Sequence, residues 1–155
     1  MVSRKSFRKH PPWRDGEAGS AAIEFGLLAP FLVLLAVGTA EIGTSVYKAM
    51  QAQNAAEAGA VYASKYGFDP AGISNSVINA TGGASITAVP APVSFCGCPT
   101  AAGVSVMSCA ATCAEGDAPG QYLRISAQIT HDPSSSLLGL VIPGTITGQA
   151  IVRMY

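Results

Sequence analysis

The chain has 155 residues, 49% hydrophobic and 12% charged, with a formal charge of zero. That length holds one small domain plus a membrane anchor, and the charged share is well below the roughly 25% of soluble domains. A zero balance argues against a nucleic-acid binder held by bulk charge.

The zero hides an asymmetry. Five of the nine Lys and Arg precede residue 15: Arg4, Lys5, Arg8, Lys9 and Arg14. From Ser20 onward, four basic residues stand against seven acids. Residues 1–19 read as a basic leader with Pro11-Pro12 and no apolar face. A secretory signal places its small-residue cut after the apolar core, and here the small residues come first. The alternative is conventional cleavage near Ala36-Val37-Gly38-Thr39-Ala40. Basic residues beside an apolar helix stay cytoplasmic. The leader is therefore expected in the cytoplasm and the rest across the membrane.

Phe25 to Ala40 is an uncharged run, a little short of the roughly 20 residues of a bilayer span. Glu24, Glu41 and the small residues around them complete it, so the span is expected to reach about residue 46. Glu24 is an acid at the start of a greasy helix, which costs a few kcal/mol on insertion scales (about 2.5–3.5 at the centre) unless it is partnered. The plainer reading is that it snorkels to the interface. Glu41 either marks the far interface or makes a polar contact between packed helices. Pro30 is tolerated in a membrane helix and removes one ladder hydrogen bond.

Glu41 to Tyr66 has no Pro and is rich in helix formers. Val46, Ala49/Met50, Gln53, Ala56, Ala60 and Ala63 recur near a helical period, a seam small enough for another helix to approach. Gly67 and Asp69-Pro70 end the helix. A helix over 20–66 would be about 70 Å long.

Residues 67–155 should form a small extracytoplasmic α+β domain. The spacing predicts a short helix over 70–80, with Ile73, Val77 and Ile78 on one face. Ala84 to Phe95 alternates as a strand made irregular by Pro90 and Pro92. Residues 96–119 read as a Cys-rich loop or hairpin. Residues 121–130 alternate, with Leu123, Ile125, Ala127 and Ile129 on one face, as in a half-buried antiparallel strand. Ser136 to Ile142 is a short helix or loop, and Thr145 to Met154 a last strand.

Cys96, Cys98, Cys109 and Cys113 are either two disulfides or a zinc site. Their spacings are not those of paired Cys-x2-Cys knuckles, and an oxidising compartment favours disulfides. Pairing Cys96 with Cys98 is sterically poor. Cys96–Cys113 with Cys98–Cys109, or Cys96–Cys109 with Cys98–Cys113, remain open. The nested first pairing is the expected one, because it would clip a hairpin. His10 and His131 lack partner acids at metal-ligand spacing, Ser134–Ser136 lack a nucleophile elbow, and no phosphate loop occurs. No catalytic constellation, metal site, cofactor or small-molecule substrate is indicated.

The stretch from Gly16 to Tyr66 resembles the TadE-like pseudopilins of tight-adherence (Flp) pilus systems. Gly19 and small residues precede Glu24-Phe25, then an apolar run with Pro30, then Glu41-Ile42-Gly43, then an Ala-rich continuation. Thr44 stands where the family often has Arg, and the Cys cluster exceeds what the family requires. The resemblance implies a pilin-like α+β fold and a minor pilin-like role in pilus assembly, with no enzymatic activity. It implies cleavage between Gly19 and Ser20 by a prepilin peptidase, and a Glu24 that sets register with Phe25 beside it. The implied partners are the membrane, the peptidase, other pilins or pseudopilins and the Tad machinery, without nucleic acid. The alternative is an uncleaved single-span scaffold or binding module of an envelope complex.

Overall fold

The computed structural model describes residues 15–82, 85–130 and 144–154, with side chains described from residue 19. Two helices, α1 (Asp15–Tyr66) and α2 (Pro70–Asn79), precede five strands: β1 (Ile86–Thr87), β2 (Val93–Thr100), β3 (Gly103–Val106), β4 (Gly120–Thr130) and β5 (Thr145–Arg153). The α+β expectation holds. The chain divides into two compact units, residues 1–38 and 39–155.

In the first unit, α1 begins at Asp15, ahead of the expected Ser20. Asp15 and Glu17 are residue types that suit a positive helix N-terminus. The leader's remaining residues, with Arg4 to Arg14 and His10, lie outside the described residues. The helix runs through Pro30. Proline has no N–H, so the Gly26 carbonyl loses its ladder partner there.

In the second unit, α1 lays Ala52, Ala55, Ala56, Gly59 and Ala63 into the core, opposite Ile73, Val77, Leu123, Ile125, Ala127 and Ile129. This corrects the expected seam. Ala56, Ala60 and Ala63 belong to it and Gln53 meets β5 at its margin, whereas Val46 and Met50 are more than half exposed. The seam receives the chain's own sheet and α2. Close approach requires the small residues. A Cβ on Gly59 would meet the Val77 and Ile125 methyls at 2.7 and 2.9 Å, and one on Gly148 would run into the backbone of Ala52.

The helix ends at Gly67, whose φ of 84° suits glycine and whose N–H bonds the Ala63 carbonyl at 2.9 Å. Asp69 then caps α2, its carboxylate accepting from the Ala71 N–H at 3.2 Å with Pro70 in the first turn. The Tyr62 hydroxyl donates to the same carboxylate at 3.2 Å. Ile73 and Val77 are buried, but Ile78 points outward at 45% exposure, correcting its expected place on the same face.

The expected strand over residues 84–95 is broken in two. The Val89–Pro90 peptide is cis, and Pro92 follows before β2 opens. Proline cannot donate to a ladder, so pairing stops between β1 and β2. The sheet is antiparallel in the order β1-β4-β2-β3, with β5 on β4. The central strand β4 buries Leu123, Ile125, Ala127 and Ile129, as its alternation predicts. Residues 131–143, including His131, Asp132-Pro133, Ser134–Ser136 and the expected segment to Ile142, lie outside the described residues.

All four cysteines form disulfides, but not in the expected nested order. Cys96 pairs with Cys109 and Cys98 with Cys113, at Cα separations of 5.1 and 5.7 Å. Strand order explains it. β3 and β4 flank β2 on opposite sides, so the loop from Met107 to Pro119 must cross β2. It leaves β3 beside Cys96, where the Met107 N–H bonds the Cys96 carbonyl at 2.9 Å. It reaches β4 with Gly120 opposite Gly97. The loop thus passes Cys96 before Cys98, and its own cysteines bind in that order. Of the loop or hairpin expected from residue 96, the hairpin is present: β2 and β3 pair antiparallel, with Cys96 and Cys98 on its first strand.

Candidate functional site

The site residues expected near the N-terminus all lie on the first stretch of α1. Helical periodicity places Ser20 and Glu24 one turn apart, and the Ser20 hydroxyl donates to Glu24 Oε1 at 3.3 Å. Gly19, Ser20, Glu24 and Phe25 are all exposed, Phe25 at 67%. Gly19 has open space where a Cβ would sit. The Gly19–Ser20 peptide lies inside the helix, near its start.

Beyond Phe25 the helix is apolar on every side. Leu27, Leu28, Phe31, Leu32, Val33, Leu34 and Leu35 are exposed. The helix has a window of mean hydropathy 2.2 with none of it buried. In water such a surface is unstable, since each large apolar side chain gains about 1.5–3 kcal/mol on burial. By length and composition the helix can cross a membrane. Polar groups at the far end satisfy themselves within it. The Thr44 hydroxyl donates to the Glu41 carbonyl and the Ser45 hydroxyl to the Ile42 carbonyl, both at 2.9 Å. Glu41 itself is half-buried.

The geometry brings Gly19, Ser20, Glu24 and Phe25 together on neighbouring turns. Glu41 lies further along the same helix, and the four cysteines sit in the second unit. Desolvation pushes the Tyr62 phenol above its ordinary range, and its bond to Asp69 adds to the shift. Among the described residues no group of three His, Cys, Asp or Glu stands where it could hold a metal.

A family model described as TadE-like protein matches residues 19–61. Over that stretch, less than half of the chain, the sequence is similar to the TadE-like family. The TadE-like segment opens on Gly19, holds Glu24, Pro30 and Glu41, and ends within α1, before the sheet begins. No curated protein and no solved structure matches.

Two further features rest on pairing between distant segments. The Gln53 side-chain amide donates to the Gln149 carbonyl at 3.2 Å and accepts from the Gln149 N–H at 3.3 Å. The helical period puts Gln53 in the seam, but it does not say that the side chain meets a strand 96 residues away. The outer face of the sheet also gathers Phe95, Tyr122, Arg124 and Arg153. Alternation placed Tyr122 and Arg124 together, but only the register adds the other two. Tyr122 stands between Phe95 and Arg153, and Arg124 between Val93 and Ile151.

Proposed function

We propose that this chain is a pseudopilin-like component of a tight-adherence pilus, structural rather than catalytic. Its first stretch would span the inner membrane, with the leader cytoplasmic and the cystine-braced sheet periplasmic. A prepilin peptidase would cut between Gly19 and Ser20. The observation that carries this reading is the TadE-like match over residues 19–61, whose first part is an apolar stretch of helix with none of it buried and with Glu24 at its start. A surface of that kind calls for lipid or for neighbouring helices.

The local chemistry fits processing. A peptidase needs extended backbone, and glycine weakens a helix by about 0.5–1 kcal/mol relative to alanine, easing the unwinding of Gly19 at the helix start. The cut would leave a new amine on Ser20. That residue already touches Glu24, so the amine arises one turn from its counter-charge. In an assembled fibre an amine from a neighbouring subunit would offset the cost of the buried carboxylate and set the axial register.

The direct test is the N-terminal sequence and intact mass of protein purified from native membranes. A mature chain beginning at Ser20 supports the reading, and an intact leader overturns it. Glu24→Ala should leave cleavage intact and lower surface piliation. Unchanged piliation would remove Glu24 from assembly.

The uncleaved single-span scaffold is the second reading. It is favoured by the helical start at Asp15, which leaves the Gly19–Ser20 bond within helix rather than in an extended strand. The same mass measurement separates the two.

A further inference from the structure

Among the described residues, the outer face of the sheet carries charge of one sign, from two arginines without an ion-pair partner. Arg124 and Arg153 are the only arginines among the described residues. The register puts both on this face, in adjacent cross-strand rows: Val93–Arg124–Ile151 and Phe95–Tyr122–Arg153. The Arg124 guanidinium lies over the Phe95 ring, 4.9 Å from its centroid. Phe95 stacks in turn on Tyr122 at 5.8 Å. Stacking holds the guanidinium plane in place while its N–H edge stays unused, and Arg124 Nε is buried with no hydrogen-bond partner. Neither arginine has an ion-pair partner among the described residues.

The opposite charge stands close by. Glu115 and Asp117 are exposed on the loop that carries Cys113. They line one cavity of about 330 Å³ together with Arg153 and Tyr122. No hydrogen bond or ion pair engages either carboxylate among the described residues.

The chemistry narrows the occupant. A sugar would need an open aromatic platform, but Tyr122 is buried and Phe95 is covered by Arg124. An anionic membrane attracts clusters of roughly four to eight cations, and this face has two. What remains is protein: carboxylates for the arginines, and apolar surface for Val93 and Ile151, which are 47% and 42% exposed. This chain itself offers such a segment, Ala114-Glu115-Gly116-Asp117-Ala118. A two-fold axis beside the cavity would set each copy's arginines against the other's acids, as a self-complementary contact requires.

We propose that this face pairs two copies of the chain, with Arg124 and Arg153 of each meeting Glu115 and Asp117 of the other. The pairing is independent of processing at Gly19, so neither reading stands or falls with the other.

The test uses the full chain in detergent micelles at low salt, with benzoylphenylalanine as photo-crosslinker in place of Ile151. A dimeric product whose linked peptide contains residues 114–118 is expected. Arg124→Glu with Arg153→Glu should cut the yield at least tenfold. So should Glu115→Arg with Asp117→Arg, a change confined to an exposed loop that leaves the sheet intact. Mixing the two variants restores opposite charges at both contacts, and the yield should recover in the mixed dimer alone. Crosslinks to lipid or to another region, a yield indifferent to charge reversal, or no recovery on mixing would each overturn the proposal.

Discussion

Between Ile23 and Leu35, every large apolar side chain of α1 is 56–68% exposed, while from Ala52 to Ala63 the buried positions hold only Ala or Gly. One helix thus carries two kinds of apolar surface. Large side chains on every side suit lipid, where breadth of apolar surface counts and shape does not. Small ones along one stripe suit a sheet, because they let two backbones approach. Bulk in the first stretch and its absence in the second solve different burial problems on one scaffold.

The sharpest way to break this contrast is to damage each side separately. Ile125→Ala empties a fully buried site opposite Gly59. It should cost the domain about 4 kcal/mol, read as a lower unfolding midpoint, while membrane insertion stays normal. Leu32→Asp should do the reverse. It penalises insertion by about 3 kcal/mol, seen as a larger soluble fraction on membrane fractionation, with the domain's unfolding unchanged. If either change moved both readouts, the two stretches would not be independent.

Smaller effects sharpen the domain side. Cys98→Ala with Cys113→Ala removes a bridge closing a loop of sequence separation 15. A loss of about 2–3 kcal/mol is expected, because a longer loop is freed in the unfolded chain. Non-reducing peptide mapping should then show only the Cys96–Cys109 bridge, whereas a nested pattern in the native chain would contradict the crossing loop. Asp69→Ala removes the α2 cap and should cost about 1 kcal/mol, with faster amide exchange confined to the start of α2.

Local signals were legible from the residues alone. The Gly67 stop, the Asp69-Pro70 start, the alternation of β4 and the boundaries of β5 rest on neighbours in sequence. So did the Gly19 to Val61 segment that the TadE-like model matches. The errors share a different cause. The order of the disulfides depends on β2 lying between β3 and β4, and no cysteine spacing states which strand is central. The helix seam was displaced toward Val46 and Met50 because periodicity finds a stripe without saying what will cover it. Gln53 and the arginine face depend on register between distant strands. Each of these is a long-range fact, set by topology rather than by local preference.

The Gln53 amide has a consequence for how the domain behaves in company. A strand at the border of a sheet presents unpaired N–H and C=O groups, which any passing strand can extend into a ribbon. At Gln149, on the border strand β5, both groups are already taken, because one side chain from the helix supplies a donor and an acceptor in the spacing of a missing neighbour. The helix therefore closes the border of β5 at that residue. A strand arriving at Gln149 would find neither backbone group free to pair with it.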